Sequence, residues 1–335
     1  MIIIDYIEAV KYCVTKPKLD NFDWNATYSG GSYQYYCNVG YDSMRVTYNE
    51  IQNSLTVSGS VMYFMQGHNL TYDRELFIDG INQIGNMLDV NLWDSEVNCF
   101  ECGAIIEVEY PAREYIAHTR RGKNMWEDTP HDKKSKGFCM SFNDDSCFVY
   151  RKMYDVGHNL TIKRKGKNKT LDSIGWDTTR NYLKWEVKYK QPVKVFGRTL
   201  MLSDLVNPEW ESLFKQDCYS QYLKLDPMKS LKSPTDVKKL KAIDVVTINY
   251  CEMCFRENKR LGEIRKLLNN CLNTRFRNVL IKKTTRDSRR ISIKKVFDRL
   301  NLSNKSEWDL CPKLYEAIFE MPHETRNKED CSTDV

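Results

Sequence analysis

The chain has 335 residues, with 51 Lys and Arg against 45 Asp and Glu, for a formal net charge of +6. That length suits one large domain or two ordinary ones, and 41% hydrophobic with 12% aromatic residues exclude a disordered or fibrous chain. No stretch approaches the ~20 apolar residues of a membrane helix. The opening Met1-Ile2-Ile3-Ile4-Asp5 lacks the basic leader and long apolar run of a secretory signal, so a soluble, cytoplasmic protein without membrane association is expected.

In chain order, Ile2–Val10 is apolar and β-branched, as a strand requires. Ser29-Gly30-Gly31-Ser32 marks a turn, and Tyr33–Val39 and Met44–Tyr48 alternate in the strand manner. Leu55–Met65 reads as a further extended stretch. From Asp73 to Leu88, the apolar Leu76, Phe77, Ile81, Ile84 and Leu88 recur at helical spacing. Val97–Tyr110 predicts a mostly buried strand ending at Pro111, followed by a polar, basic loop over His118–Lys136. Phe138–Met153 holds two apolar clusters around the acidic turn Asn143-Asp144-Asp145, and the lysine-rich Lys163–Lys169 predicts an exposed loop. Tyr182–Lys190 alternates again, with Tyr182, Lys184, Glu186 and Lys188 on one face and Leu183, Trp185, Val187 and Tyr189 on the other.

Strands interleaved with helices predict an α+β domain over residues 1–227. After Ser233-Pro234 the pattern turns helical, with Val237–Phe255 and Leu261–Leu272 clearest and Ser288–Leu300 and Ser306–Phe319 a candidate helix-turn-helix-like pair. A basic helical domain over 234–325 and a disordered tail over 326–335 complete the expected organisation.

Charge is unevenly spread. Residues 1–119 carry 6 basic and 16 acidic side chains, giving −10, whereas residues 120–190 carry 17 and 9, giving +8. Residues 229–300 carry 20 and 7, giving +13. Basic excess confined to two blocks suggests a surface for a polyanion, most simply nucleic acid; the alternative for the second block is a solvated helix face. The 12 cysteines are expected to be mostly buried thiols. The pairs Cys99/Cys102 and Cys251/Cys254 lack partner pairs at zinc-site spacing.

His68, His118, His131, His158 and His323 are too scattered for a His-x-His or His-Glu-x-x-His metal motif, and neither a glycine-rich phosphate loop nor a G-x-S-x-G elbow occurs. What remains is carboxylates on apolar strands. Glu101 lies within Val97–Tyr110, and Glu186 follows Leu183 and Trp185. A carboxylate in such a setting needs a cation or a metal as partner. Two from separate strands can make an oxygen-rich site for Mg²⁺ or Mn²⁺, or each can sit on a solvent face, Glu186 between Lys184 and Lys188. The stretch Phe148–Asp155 adds Tyr150, whose phenolate can attack a phosphodiester.

The order of these motifs resembles the gene II replication initiators of filamentous phages, which are related to rolling-circle plasmid initiators of the HUH endonuclease superfamily. Gln66-Gly67-His68-Asn69 resembles that family's Q-G-H-N signature, and Val97-Asn98-Cys99-Phe100-Glu101 its R-I-D strand, with Glu for Asp and Cys for Arg. Tyr150-Arg151-Lys152, followed by Asp155, resembles the Y-x-K motif and its acid, and Leu183-Lys184-Trp185-Glu186 the L-R-x-E strand. The match covers about residues 57–205.

The resemblance implies an antiparallel sheet with packed helices, a Rep-like nuclease domain. It implies Tyr150 as the nucleophile that nicks DNA and Lys152 as the neighbouring cation. Glu101 and Glu186 become acids near Mg²⁺ or Mn²⁺, with His68 either a ligand or a histidine capping a helix start. Arg151, Lys163, Arg164, Lys165, Lys184 and Lys188 are the expected DNA contacts. Tyr154 is a second candidate nucleophile, one helical turn from Tyr150 if that segment is helical. The expected function is a rolling-circle initiator that nicks one strand at an origin and later rejoins it, with DNA and host replication proteins such as a helicase as partners. A relaxase or mobilisation nickase of the same chemistry, and a non-catalytic DNA-binding regulator of the same fold, are the alternatives.

Overall fold

The computed structural model describes residues 2–15, 17, 25–29, 32–39, 43–128, 137–144, 146–162, 175–227, 231–232, 242–256, 261–274, 283–299, 301–302, 306 and 308–319. The contacts divide the chain into two units. Residues 1–116, 121–225 and 310–335 form the first; residues 117–120 and 226–309 form the second. Among the described residues, no helix is long and apolar enough to cross a membrane.

The first unit is α+β. β1 (Ile3–Lys11), β2 (Asn25–Ser29), β3 (Ser32–Val39), β4 (Met44–Asn49) and β5 (Ser54–Gly59) come first, followed by α1 (Val61–Gln66) and α2 (Arg74–Leu88). The long β6 (Glu96–Val108) leads to α3 (Ala112–His118), to the short β7 (Thr119–Arg120) of the second unit, and to β8 (Met125–Asp128). β9 (Cys139–Asp144), β10 (Val149–Asp155), α4 (Val156–Ile162), β11 (Asn181–Tyr189), α5 (Pro192–Phe196) and α6 (Pro208–Leu223) complete the run. Ten strands form one antiparallel sheet in the order β2-β3-β4-β5-β1-β6-β11-β10-β9-β8. The apolar strands β1, β6 and β11 are therefore neighbours at its middle. Their near-continuous burial is what two covered faces demand.

One face packs on α6, where Phe214, Cys218 and Tyr222 are buried. Phe100 stacks on Tyr189 at 4.8 Å and meets Phe214 at 5.0 Å, while Trp185 meets Tyr222 edge-on at 5.4 Å. The Trp185 indole N–H donates to the Cys218 carbonyl at 3.2 Å, and the Tyr189 hydroxyl donates to Asp217 at 2.7 Å. Aromatic burial on this scale anchors the sheet, with the polar tips satisfied. The other face of β1, β6, β10 and β11 holds the charged residues considered below.

Three sequence expectations change. Leu55–Met65 is not extended throughout: β5 ends at Gly59, and Ser60 caps α1 by accepting the Tyr63 N–H. Gly59 permits the change of direction because its φ of +138° and its approach to the Ser43 carbonyl leave no room for a Cβ. The segment His118–Lys136 is not loop throughout its described part, since β8 adds an edge strand to β9. Only Met125 of that strand is buried, too little patterning to be read from sequence. Ser288–Leu300 and the helical part of Ser306–Phe319 fall in different units. The latter contributes α10 (Cys311–Phe319) to the first unit, where Phe319 and Tyr315 pack on Tyr219 and the Leu310 N–H donates to the Tyr222 hydroxyl.

The second unit holds the short β12 (Asp226–Pro227), paired with β7, and β13 (Leu231–Lys232), paired with β14 (Asn301–Leu302). Between them lie α7 (Ala242–Arg256), α8 (Leu261–Thr274) and α9 (Lys283–Arg299). Their shared core is Ile248, Cys251, Cys254, Ile264 and Val296, so the second C-x-x-C pair serves packing.

Candidate functional site

Strand register builds the site. Across β10 and β11, Tyr150 lies opposite Lys188, Lys152 opposite Glu186, and Tyr154 opposite Lys184. On the other side of β11, Lys188 lies opposite Glu101 and Glu186 opposite Gly103 of β6. All these residues share one face of the sheet because side chains alternate with period two. Gly103 matters here: a Cβ on it would collide with the Trp185 carbonyl. The fourth strand contributes through a bulge in β1 between Ile4 and Tyr6. The extra residue is Asp5, and the irregularity lets Asp5 and Tyr6 both reach the charged face.

Asp5, Glu101 and Glu186 bring carboxylate oxygens within 4.8 Å of one another, a group able to hold a metal ion. Three lysines interleave with them. The Lys184 ammonium, fully buried, contacts Asp5 at 2.7 Å and Glu186 at 2.9 Å and donates to the Asn69 carbonyl at 3.3 Å. Lys188 pairs with Glu101 at 2.6 Å and covers the Tyr6 ring. Lys152 approaches the outer Glu186 oxygen at 3.7 Å and keeps 43% of its side chain exposed. Tyr154 is buried, and its hydroxyl donates to Glu186 Oε1 at 2.7 Å. Tyr150 is half-buried, with the Lys190 ammonium 3.9 Å from its ring centre.

The electrostatics follow from burial and pairing. Burial pushes the Asp5 carboxyl up to about 7 despite Lys184. Burial also opposes charge on Glu186, but Lys184, a hydrogen bond from Asp5 and the Lys152 charge outweigh it and hold Glu186 well below the usual carboxylate range. The pair thus holds its proton on Asp5. Lys184 and Lys188 remain charged because their carboxylate partners overcome burial and raise both. Burial and the Glu186 charge drive the Tyr154 phenol far up, so it stays a neutral donor.

A consequence is testable by pH. Folded protein keeps a proton on Asp5 up to about pH 7, where the unfolded chain has already released it. The native state therefore binds more protons over that window, and stability falls as pH rises through it. Asp5→Asn is expected to flatten the dependence between about pH 4.5 and 7 and to raise stability above pH 7 by on the order of 2–4 kcal/mol. Denaturant midpoints measured across pH check this; parallel profiles for wild type and variant count against it.

The expected residues divide as follows. Tyr150, Lys152, Glu101, Glu186, Lys184 and Lys188 share the site face. Lys184 corrects the expectation of a DNA contact, because it is enclosed between Asp5 and Glu186. Arg151 is a second correction. It points to the α6 face, 1% exposed, and its guanidinium donates to Gln221 at 2.6 Å and Asp144 at 3.0 Å. Strand alternation sends it away from its neighbours Tyr150 and Lys152. His68 stands outside the carboxylate group: its Nδ1 accepts the Leu70 N–H at 3.4 Å, a local role within the α1–α2 turn. Its neighbour Asn69 is the residue of that motif at the site, with its amide donating to Asp5. Asp155 caps α4 by accepting the His158 N–H at 2.8 Å. Lys163, Arg164 and Lys165 lie outside the described residues.

Sequence reasoning missed Asp5, Asn69 and Tyr6. For Asp5 the signal existed: a carboxylate inside an apolar β-branched run, the criterion that selected Glu101. Among the described residues, Cys99, Cys102, Cys251 and Cys254 carry free thiols, and no cysteine joins a metal-ligating group. No protein-family model matches the chain, and no curated protein is significantly similar to it.

Proposed function

We propose that this protein is a metal-dependent DNA strand transferase with a Rep-like nuclease unit. In this reading it initiates rolling-circle replication in a bacterial cytoplasm by nicking one origin strand through Tyr150. The observation that carries the reading is positional. Tyr150 stands on the strand next to Glu186, on the same face as three clustered carboxylates and directly across from Lys188. The order of motifs, Asn69 then Glu101 then Tyr150 then Glu186, supports it, as does the contact of Asn69 with Asp5.

Asp5, Glu101 and Glu186 offer oxygen donors of the kind that Mg²⁺ and Mn²⁺ take, and these three residues would hold the ion. A divalent ion bound there supplies polarisation of the scissile phosphate. The Tyr150 oxygen attacks phosphorus and the bond to the 3′-oxygen breaks, leaving a 5′-phosphotyrosine and a free 3′-hydroxyl once a proton has moved from the phenol to solvent and another onto the leaving oxygen. Lys152 and Lys188 stabilise the added negative charge. Tyr154 stays protonated and holds Glu186 in place. Attack by a 3′-hydroxyl on the phosphotyrosine reverses the step and rejoins the strand. Host replication proteins such as a helicase would extend the primed strand.

A non-catalytic DNA-binding protein of the same fold is the second reading, favoured by one observation. Above about pH 7, where Asp5 is ionised, Lys152, Lys184 and Lys188 match the three carboxylates charge for charge, so the cluster is balanced without a metal. The discriminating experiment incubates the protein with Mn²⁺ and cognate single-stranded or supercoiled origin DNA. A protease-sensitive covalent protein–DNA adduct, lost on chelation of the metal, is expected. Its absence with cognate DNA leaves the non-catalytic reading.

A further inference from the structure

We infer that the second unit carries its own DNA surface, a groove between α8 and α9 that grips the backbone of duplex DNA. The inference rests on DNA being the partner, and it assigns a contact made without the Tyr150 site. The groove encloses about 440 Å³ and is lined by Arg265 and Asn269 of α8 and by Arg290, Ile291 and Lys294 of α9. Three of these five residues are cations and none is acidic. Arg265 with Asn269, and Arg290 with Lys294, are four apart and so stand on one face of their helices.

The core does not need these side chains. Ile264 and Leu268 of α8 and Val296 and Phe297 of α9 turn inward, leaving Arg265, Arg290 and Lys294 exposed. Asp287 pairs with Arg290 at 3.2 Å, but both are about half exposed, and such a pair yields readily to a phosphate.

The charge is also extended. α9 carries seven basic and two acidic residues in 17 positions over about 25 Å, and Lys283, Arg286, Arg290 and Lys294 recur at three- and four-residue spacing along one side. A line of charge suits a polyanion rather than a single small anion. Single-stranded DNA is gripped by stacking bases on aromatic rings, and none lines this groove. Backbone contact with a duplex is the mode that its residues fit.

The test titrates full-length protein into a labelled DNA duplex and the matching single strand over a salt series. Arg265→Gln/Arg290→Gln/Lys294→Gln is expected to weaken duplex binding and to reduce the slope of log affinity against log salt by about two to three. Lys294→Gln alone, expected to reduce it by about one, keeps the test open if the triple variant folds poorly. Adduct formation on a short single strand should be unchanged in both. An unaltered duplex slope, or a loss confined to single-stranded DNA or to RNA, overturns the inference. If wild type forms no adduct while the slope still falls, the groove stands and the strand-transfer reading fails.

Discussion

Lys184→Met is expected to lower the unfolding free energy by about 3–5 kcal/mol, because it strands buried carboxylates without their cation. The Lys184 side chain is fully buried and its ammonium contacts both Asp5 and Glu186. Methionine fills similar space but supplies no charge and no donor. Glu186 would retain only the more distant Lys152 as a cationic partner, with the Tyr154 hydroxyl and protonated Asp5 as donors, and the Asn69 carbonyl would lose its Lys184 bond. For a unit of this size a loss of that order lowers the melting temperature by about 6–20 °C. Thermal unfolding at pH 7.5 measures it.

Because a second change tests the cause, the double variant Lys184→Met/Asp5→Asn should recover part of the loss only well above pH 7, where Asp5 gives up its proton and becomes a second uncompensated charge. The two substitutions touch one network and so should not add. A single-variant loss below about 1 kcal/mol would place the cluster in far wetter surroundings than its burial indicates.

How much of this was legible in the sequence depended on periodicity. β11 was readable residue by residue, since Leu183, Trp185, Val187 and Tyr189 are buried on one face, Trp185 and Tyr189 against α6, and the intervening Lys184, Glu186 and Lys188 fall on the other face. The same alternation separates Arg151 from Tyr150 and Lys152, which a count of basic residues over 120–190 does not register. The helical relation considered for Tyr150 and Tyr154 gave way to a strand, in which the two tyrosines and Lys152 lie at period two.

Asp5 was harder. A bulge in β1 between Ile4 and Tyr6 puts Asp5 and Tyr6 on the charged face together, and nothing local in Ile3-Ile4-Asp5-Tyr6 announces it. α6 was missed for a different reason: its apolar residues form no clean stripe, and its buried set includes Gln221, which is there to meet Arg151. The charge blocks survive only in part. Lys184 and Arg151 contribute to the basic count of residues 120–190 yet are buried, so a count of basic residues overstated the surface.

The two tyrosines of β10 should separate cleanly in an assay. Tyr150→Phe is expected to abolish the covalent DNA adduct while leaving the melting temperature within about 2 °C of wild type, since half-buried Tyr150 serves the proposed chemistry more than the core. Tyr154→Phe is expected to do the reverse. It removes a hydroxyl that donates to the Glu186 carboxylate at 2.7 Å, a charge-assisted bond whose loss costs about 1.5–3 kcal/mol. Adduct formation should persist, because a phenol whose ionisation is opposed by burial and by Glu186 is a poor source of phenolate. Half-buried Tyr150 has the Lys190 ammonium over its ring and Lys188 across the strand. Peptide mapping of the nuclease-trimmed adduct identifies the modified residue directly. Phosphotyrosine at Tyr154, or an adduct that survives Tyr150→Phe undiminished, would remove Tyr150 from the role and reassign the carboxylate–lysine cluster to a different partner.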